Sequence, residues 1–119
     1  IDEAADLEST ATVKVVFDQK GRALYFSRLP IPHLRDVPAA DRLDKGLHYH
    51  HVGLYAYRRE TLLALTQLPP APYEIAEGLE QLRWLQAGYA VHVAITDLPS
   101  IGIDTPHDLE RAGQIIANS

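Results

Sequence analysis

Prolines divide this chain into short segments before any other signal is considered. Eight occur in 119 residues, with Pro30, Pro32 and Pro38 in one stretch and Pro69-Pro70-Ala71-Pro72 in another. A proline inside a helix removes a backbone donor and clashes with the preceding turn. Residues 29–47 therefore read as an extended loop or arm, and the second cluster as a sharp helix stop. The acidic residues 1–11 read as a loop or short helix. The β-branched run 13–17 reads as a strand, Asp18-Gln19-Lys20-Gly21 as a turn, and 23–27 as the returning strand of a hairpin. Beyond the arm, the pattern predicts a strand over 52–57 and a helix over 59–68. It then predicts a long helix over 73–87 closed by Gly88, a strand over 91–95 and a last helix over 105–117. Strands alternating with helices imply an α/β domain with a mixed sheet.

Composition removes several function classes. A net charge of -5 argues against a nucleic-acid surface, which needs clustered Lys and Arg. Without cysteine, disulfides, thiolate catalysis and zinc–thiolate sites are excluded. No apolar run approaches the ~20 residues of a membrane helix, and no secretion leader is read, so a cytoplasmic location is expected. The chain starts at Ile1 and has no methionine, which reads as a fragment or a processed chain. Gly-rich phosphate-loop motifs and the G-x-S-x-G nucleophile motif are absent. Neither Ser27 nor Ser100 has a convincing His/Asp arrangement, so nucleophilic catalysis is not expected.

Three places remain where chemistry could sit. In Gly102-Ile103-Asp104-Thr105-Pro106-His107-Asp108, residues Thr105, Pro106 and Asp108 spell a helix start with a capping box. They leave Asp104 as a carboxylate at a helix mouth, either a second capping group or a ligand for a hard cation such as Mg²⁺. In His51-Val52-Gly53-Leu54-Tyr55, a strand would put His51 and Tyr55 on one face and Val52, Leu54 and Ala56 on the other, packed, face. The first face suits a polyhydroxylated ligand or is simply half-exposed; His48 and His50 beside it do not make a metal site without a partner cluster. On the 73–87 helix, Ile75, Leu79, Leu82 and Leu85 form an apolar stripe, and Glu77, Glu80, Gln81 and Trp84 fall together opposite it. That face reads as solvated, with Trp84 hinting at a ligand or partner. Arg28 suits carboxylate or phosphate recognition or, equally, a charge that protects an edge strand.

Taken in order, these segments resemble the 3-deoxy-manno-octulosonate (KDO) cytidylyltransferase family. The resemblance rests on Val13-Lys14-Val15-Val16, Ala23-Leu24-Tyr25-Phe26-Ser27-Arg28 with Pro30-Ile31-Pro32, and His51-Val52-Gly53-Leu54-Tyr55-Ala56-Tyr57-Arg58. Leu79-Glu80-Gln81-Leu82-Arg83 and Gly102-Ile103-Asp104-Thr105-Pro106 complete it. It implies a Rossmann-like nucleotidyltransferase fold and a homodimer held partly by the hairpin and arm. It also implies a reaction in which CTP and KDO give CMP-KDO and pyrophosphate, with Mg²⁺, for lipopolysaccharide assembly. It assigns Asp104 as a catalytic metal ligand and His51, Tyr55, Glu80 and Gln81 as sugar-binding residues, with Arg28 near the substrate or the dimer contact. His107 and Ser100-Ile101 depart from the family pattern beside Asp104. The glycine-containing phosphate loop, the cytosine pocket and a second metal-binding Asp are not in these residues. The chain thus reads as the C-terminal half of one domain, with 12–50 as hairpin and dimerisation arm and 51–119 as the sugar and metal side. It is expected to be inactive alone. The alternatives are a cytidylyltransferase for sialic acid or amino-KDO, and a non-catalytic interaction module.

Overall fold

The computed structural model describes residues 1–98 and 100–119. A short helix α1 (Ala4–Glu8) leads into strands β1 (Lys14–Phe17) and β2 (Ala23–Ser27). The hairpin turn is built by Asp18, whose carboxylate accepts from the Lys20 and Arg22 amides at 2.8 and 2.9 Å. Gly21 takes φ 79°, a left-handed turn conformation that costs glycine little. The arm follows, with two 3₁₀ turns at Ala39–Asp41 and Leu43–Lys45. Its base is closed by His48, whose Nε2 lies 3.0 Å from the Pro32 carbonyl. Strand β3 (Tyr49–His50) and helices α2 (Arg59–Leu65), α3 (Pro72–Glu77), α4 (Gln81–Gln86) and α5 (Pro106–Ala117) complete the order.

The sheet runs β2-β1-β3 and both pairings are antiparallel, which corrects the expectation of a mixed sheet among the described residues. The strand expected over 52–57 does not form. The ladder beside β1 ends where the His51 amide donates to the Val13 carbonyl at 2.8 Å, and the chain then turns, Leu54 N–H bonding the Val52 carbonyl at 2.7 Å. Leu54, expected to pack, is 87% exposed. The 91–95 segment is reduced to one bridge, His92 opposite Arg22, flanked by bonds from Ala23 N–H to the Val91 carbonyl and from Val93 N–H to the Gly21 carbonyl.

The long helix over 73–87 is also corrected: it is two helices. Gly78 caps α3 at φ 64°, ψ 40°, and a left-handed residue cannot continue a right-handed helix. The chain therefore turns between α3 and α4. Ile75 is left 71% exposed, while Leu79 and Leu82 enter the core with Val15, Ala23 and Phe26. This core joins residues from both sides of the expected 50/51 division. Arg83 braces the turn by a two-pronged pair with Glu74, 2.8 Å from Nε and 2.6 Å from Nη2, which holds the Glu74 carboxyl below its usual range. The last helix starts as its sequence specifies. Asp108 N–H donates to Thr105 Oγ1 and Thr105 N–H to Asp108 Oδ2. None of its residues is buried.

Candidate functional site

Phe26 supports the site from the core. It is fully buried on β2, and its ring meets His51 edge-on, centroids 5.0 Å apart. The turn at residues 52–54 then folds the chain back, so that Tyr55 Oη lies 2.7 Å from His51 Nε2. Sequence alternation had put these two side chains together on a strand face; the structure brings them together by a turn. Burial pushes the Tyr55 phenol up and the His51 imidazole down, so both are neutral at neutral pH. In either imidazole tautomer the pair offers a ligand one donor and one acceptor.

Helix α4 supplies the opposite wall. Trp84 sits edge-on to Tyr55 at 5.1 Å and to Tyr57 at 5.6 Å, and the two tyrosines stack at 5.9 Å. Gln81 and Trp84, expected on a solvated face, are only 7% and 8% exposed, because the break at Gly78 reorients α4. Together Tyr55, Tyr57, Glu80, Gln81 and Trp84 line a cavity of about 200 Å³, with Leu62, Leu65 and Thr66 of α2 and its C-terminal end at the back. Tyr57 and the α2 residues were missed by sequence reasoning. The aromatic at 57, two residues from Tyr55, was their one visible signal. Among the described residues neither the Glu80 carboxylate nor the Gln81 amide is hydrogen-bonded to another protein group. A larger cleft of about 490 Å³ lies at the hairpin turn between Asp18, Gln19, Lys20, Arg22 and His92. It contains none of the expected site residues and has no comparable wall of aromatics.

Two expected residues lie apart from this cavity. Arg28 donates from Nε to the Glu77 carbonyl at 2.7 Å, from Nη1 to the Thr10 carbonyl at 3.0 Å and from Nη2 to the Gly78 carbonyl at 3.1 Å. In this structure the side chain serves the fold. Asp104 is exposed on the loop before α5 and does not line the cavity. Its amide, not its carboxylate, joins the capping group, donating to Asp108 Oδ2 at 3.2 Å. Among the described residues no group of three or more His, Cys, Asp or Glu side chains is placed to hold a metal ion. Asp104 thus stands as a lone exposed carboxylate at the mouth of α5.

The His51 environment gives a pH dependence. Burial lowers the pKa of both His51 and His50 below the ordinary value of about 6.5. Below that pH the unfolded chain takes up more protons than the folded one, so stability is full above about pH 6.5 and is lost as pH falls through the lowered folded-state values. Thermal melts between about pH 8 and 5 are expected to show Tm falling on the acid side, with a shallower fall in His51→Gln. An unchanged slope in that variant refutes the assignment.

Comparison with known proteins identifies the family. A family model described as Cytidylyltransferase matches residues 1–95. A 3-deoxy-manno-octulosonate cytidylyltransferase from Bacteroides thetaiotaomicron is 48% identical over 114 residues, covering 96% of this chain and 46% of that protein. One from Polynucleobacter necessarius is 50% identical over 121 residues, covering 100% and 46%. A solved structure of CMP:2-keto-3-deoxy-manno-octonic acid synthetase complexed with CTP superposes with a TM-score of 0.78 at 42% identity. That match covers 98% of this chain and 46% of the other. The chain spans a little under half the length of these relatives.

Proposed function

The chain belongs to the cytidylyltransferase family, and on that footing we propose that its aromatic cavity holds the sugar acid KDO for transfer of CMP from CTP. The observation that carries this reading is the convergence of Tyr55, Glu80 and Gln81 on one small cavity, with His51 bonded to the Tyr55 hydroxyl beside it. Its volume lies below the roughly 300–1,000 Å³ of pockets for drug-sized ligands, which suits one sugar unit better than a nucleotide. The aromatic rings offer apolar faces to the sugar carbons, while the imidazole, phenol, carboxylate and amide match its hydroxyls.

In the proposed reaction the anomeric hydroxyl of KDO attacks the α-phosphorus of CTP in line. A P–O bond forms to the sugar, the bond to the β-phosphate oxygen breaks, pyrophosphate leaves and the hydroxyl proton is released. The residues of this chain orient the nucleophile and exclude water, which is catalysis by positioning. Asp104 would help to hold Mg²⁺, which when bound would neutralise phosphate charge. The product feeds lipopolysaccharide assembly, and the cytoplasm, where CTP resides, is the proposed location.

We read the chain as the C-terminal, sugar-side part of a Rossmann-like domain. The match to just under half of each relative and the absence of a phosphate-binding glycine motif support that reading. Homodimer formation through the arm, whose ends carry the exposed Leu29 and Leu47, completes the proposal; a solution mass equal to one 13.2 kDa chain counts against it. Saturation-transfer NMR with KDO and sialic acid tests the substrate class. KDO resonances are expected to be attenuated and sialic acid resonances not; equal attenuation of both removes the specificity claimed here. With CTP and Mg²⁺ added, the chain alone is expected to make no CMP-KDO, and detectable product overturns its reading as the sugar side only.

A further inference from the structure

We propose that Ser27, Arg28 and Glu77, none of which lines the cavity, are positioning residues that hold Glu80 and Gln81 at the sugar-acid site. The inference rests on the reading of that site given above. The Glu77 carboxylate accepts from Ser27 Oγ at 2.7 Å through Oε1 and from the Arg28 amide at 3.0 Å through Oε2. Arg28 returns the contact, its guanidinium spanning the Glu77 and Gly78 carbonyls. The same residue is held from behind, because the fully buried Lys14 donates from Nζ to the Arg28 carbonyl at 2.8 Å. The end of β2 is thus bonded to the last residue of α3 and to the left-handed glycine that follows.

The alternative to this clamp is the continuous helix that the periodicity of residues 73–87 favours. At about 100° per residue, Glu77, Gln81 and Trp84 would share one face of such a helix. Glu77 would then project on the side of the cavity wall and lose Ser27. The clamp takes Glu77 out of that face and fixes Gly78 in the left-handed turn. Leu79 and Leu82 then lock into the core, which leaves Glu80 and Gln81 on the cavity. Four bonds across some fifty residues of sequence select the broken helix over the continuous one.

Trp84 is the chain's one tryptophan and stands on the cavity wall, so it reports both ligand and wall. For Glu77→Gln, acrylamide quenching of Trp84 without ligand is expected to change, the helical circular dichroism to grow, and KDO affinity by Trp84 emission to fall about tenfold. All are measured well below the variant's Tm. Ser27→Ala, which removes the bond to Glu77 and the one that Ser27 Oγ accepts from the Leu29 amide, is expected to do the same in smaller measure and serves if Glu77→Gln does not fold. A lowered Tm with wild-type quenching and wild-type affinity makes the network merely structural and overturns the proposal. If the wild-type chain does not bind KDO, the reading of the site fails; the clamp is then decided by quenching and dichroism alone.

Discussion

Phe26→Ala is expected to destabilise the chain by about 3–5 kcal/mol, the range for deleting a fully buried ring. The side chain has no exposed surface and touches both halves of the core, Val15 and Ala23 of the hairpin and Leu79 and Leu82 beyond the Gly78 turn. Its loss leaves a cavity that short flanking elements cannot close. Domains of this size are stable by only about 5–15 kcal/mol, so the variant stands near the edge of folding. The effect reaches the site as well, because the His51 ring rests against the edge of Phe26. Urea unfolding followed by Trp84 emission measures the loss. A change below about 1 kcal/mol is incompatible with the core described.

Tyr55→Phe is expected to weaken KDO binding about tenfold or more while lowering Tm by only several degrees. The phenyl ring keeps the stack on Tyr57 and the edge contact with Trp84, so packing survives. What disappears is the hydroxyl bonded to His51 Nε2 and, with it, the donor–acceptor pair offered to the sugar. A hydrogen bond to a neutral partner contributes about 0.5–1.5 kcal/mol and one to a charged group about 1.5–3, and 1.4 kcal/mol is tenfold in affinity. Isothermal titration with KDO checks it. Unaltered affinity takes Tyr55 out of the site.

The parts of this fold legible in the sequence are those whose signals are local. The β-branched run with Asp18 and Gly21 specified the hairpin, and Thr105-Pro106 with Asp108 specified the start of α5 to the residue. Candidate residues were legible by type, and His51, Tyr55, Glu80 and Gln81 do stand at or beside one cavity. What failed depends on partners distant in sequence. Residues 52–57 have the composition of a strand, yet the described chain offers them no neighbouring strand, and two residues before them pair instead. Gly78 was visible, but its left-handed turn is stabilised by Ser27 and Arg28 far upstream. The burial of Lys14, satisfied by the Ser9 and Arg28 carbonyls, has no local signature, since a lysine in a strand ordinarily marks the solvent face. Arg28 was singled out for its chemistry, and geometry gave that chemistry to backbone carbonyls.

The central claim is that KDO occupies the cavity between the His51–Tyr55 pair and α4. Backbone amide NMR of the labelled chain, titrated with KDO alone, tests it most directly. The account predicts saturable shifts confined to His51, Tyr55, Tyr57, Glu80, Gln81 and Trp84 and their neighbours, with Asp104 unmoved in the absence of Mg²⁺ and nucleotide. Shifts centred on Asp18, Lys20, Arg22 and His92, or none at saturating sugar, would contradict it.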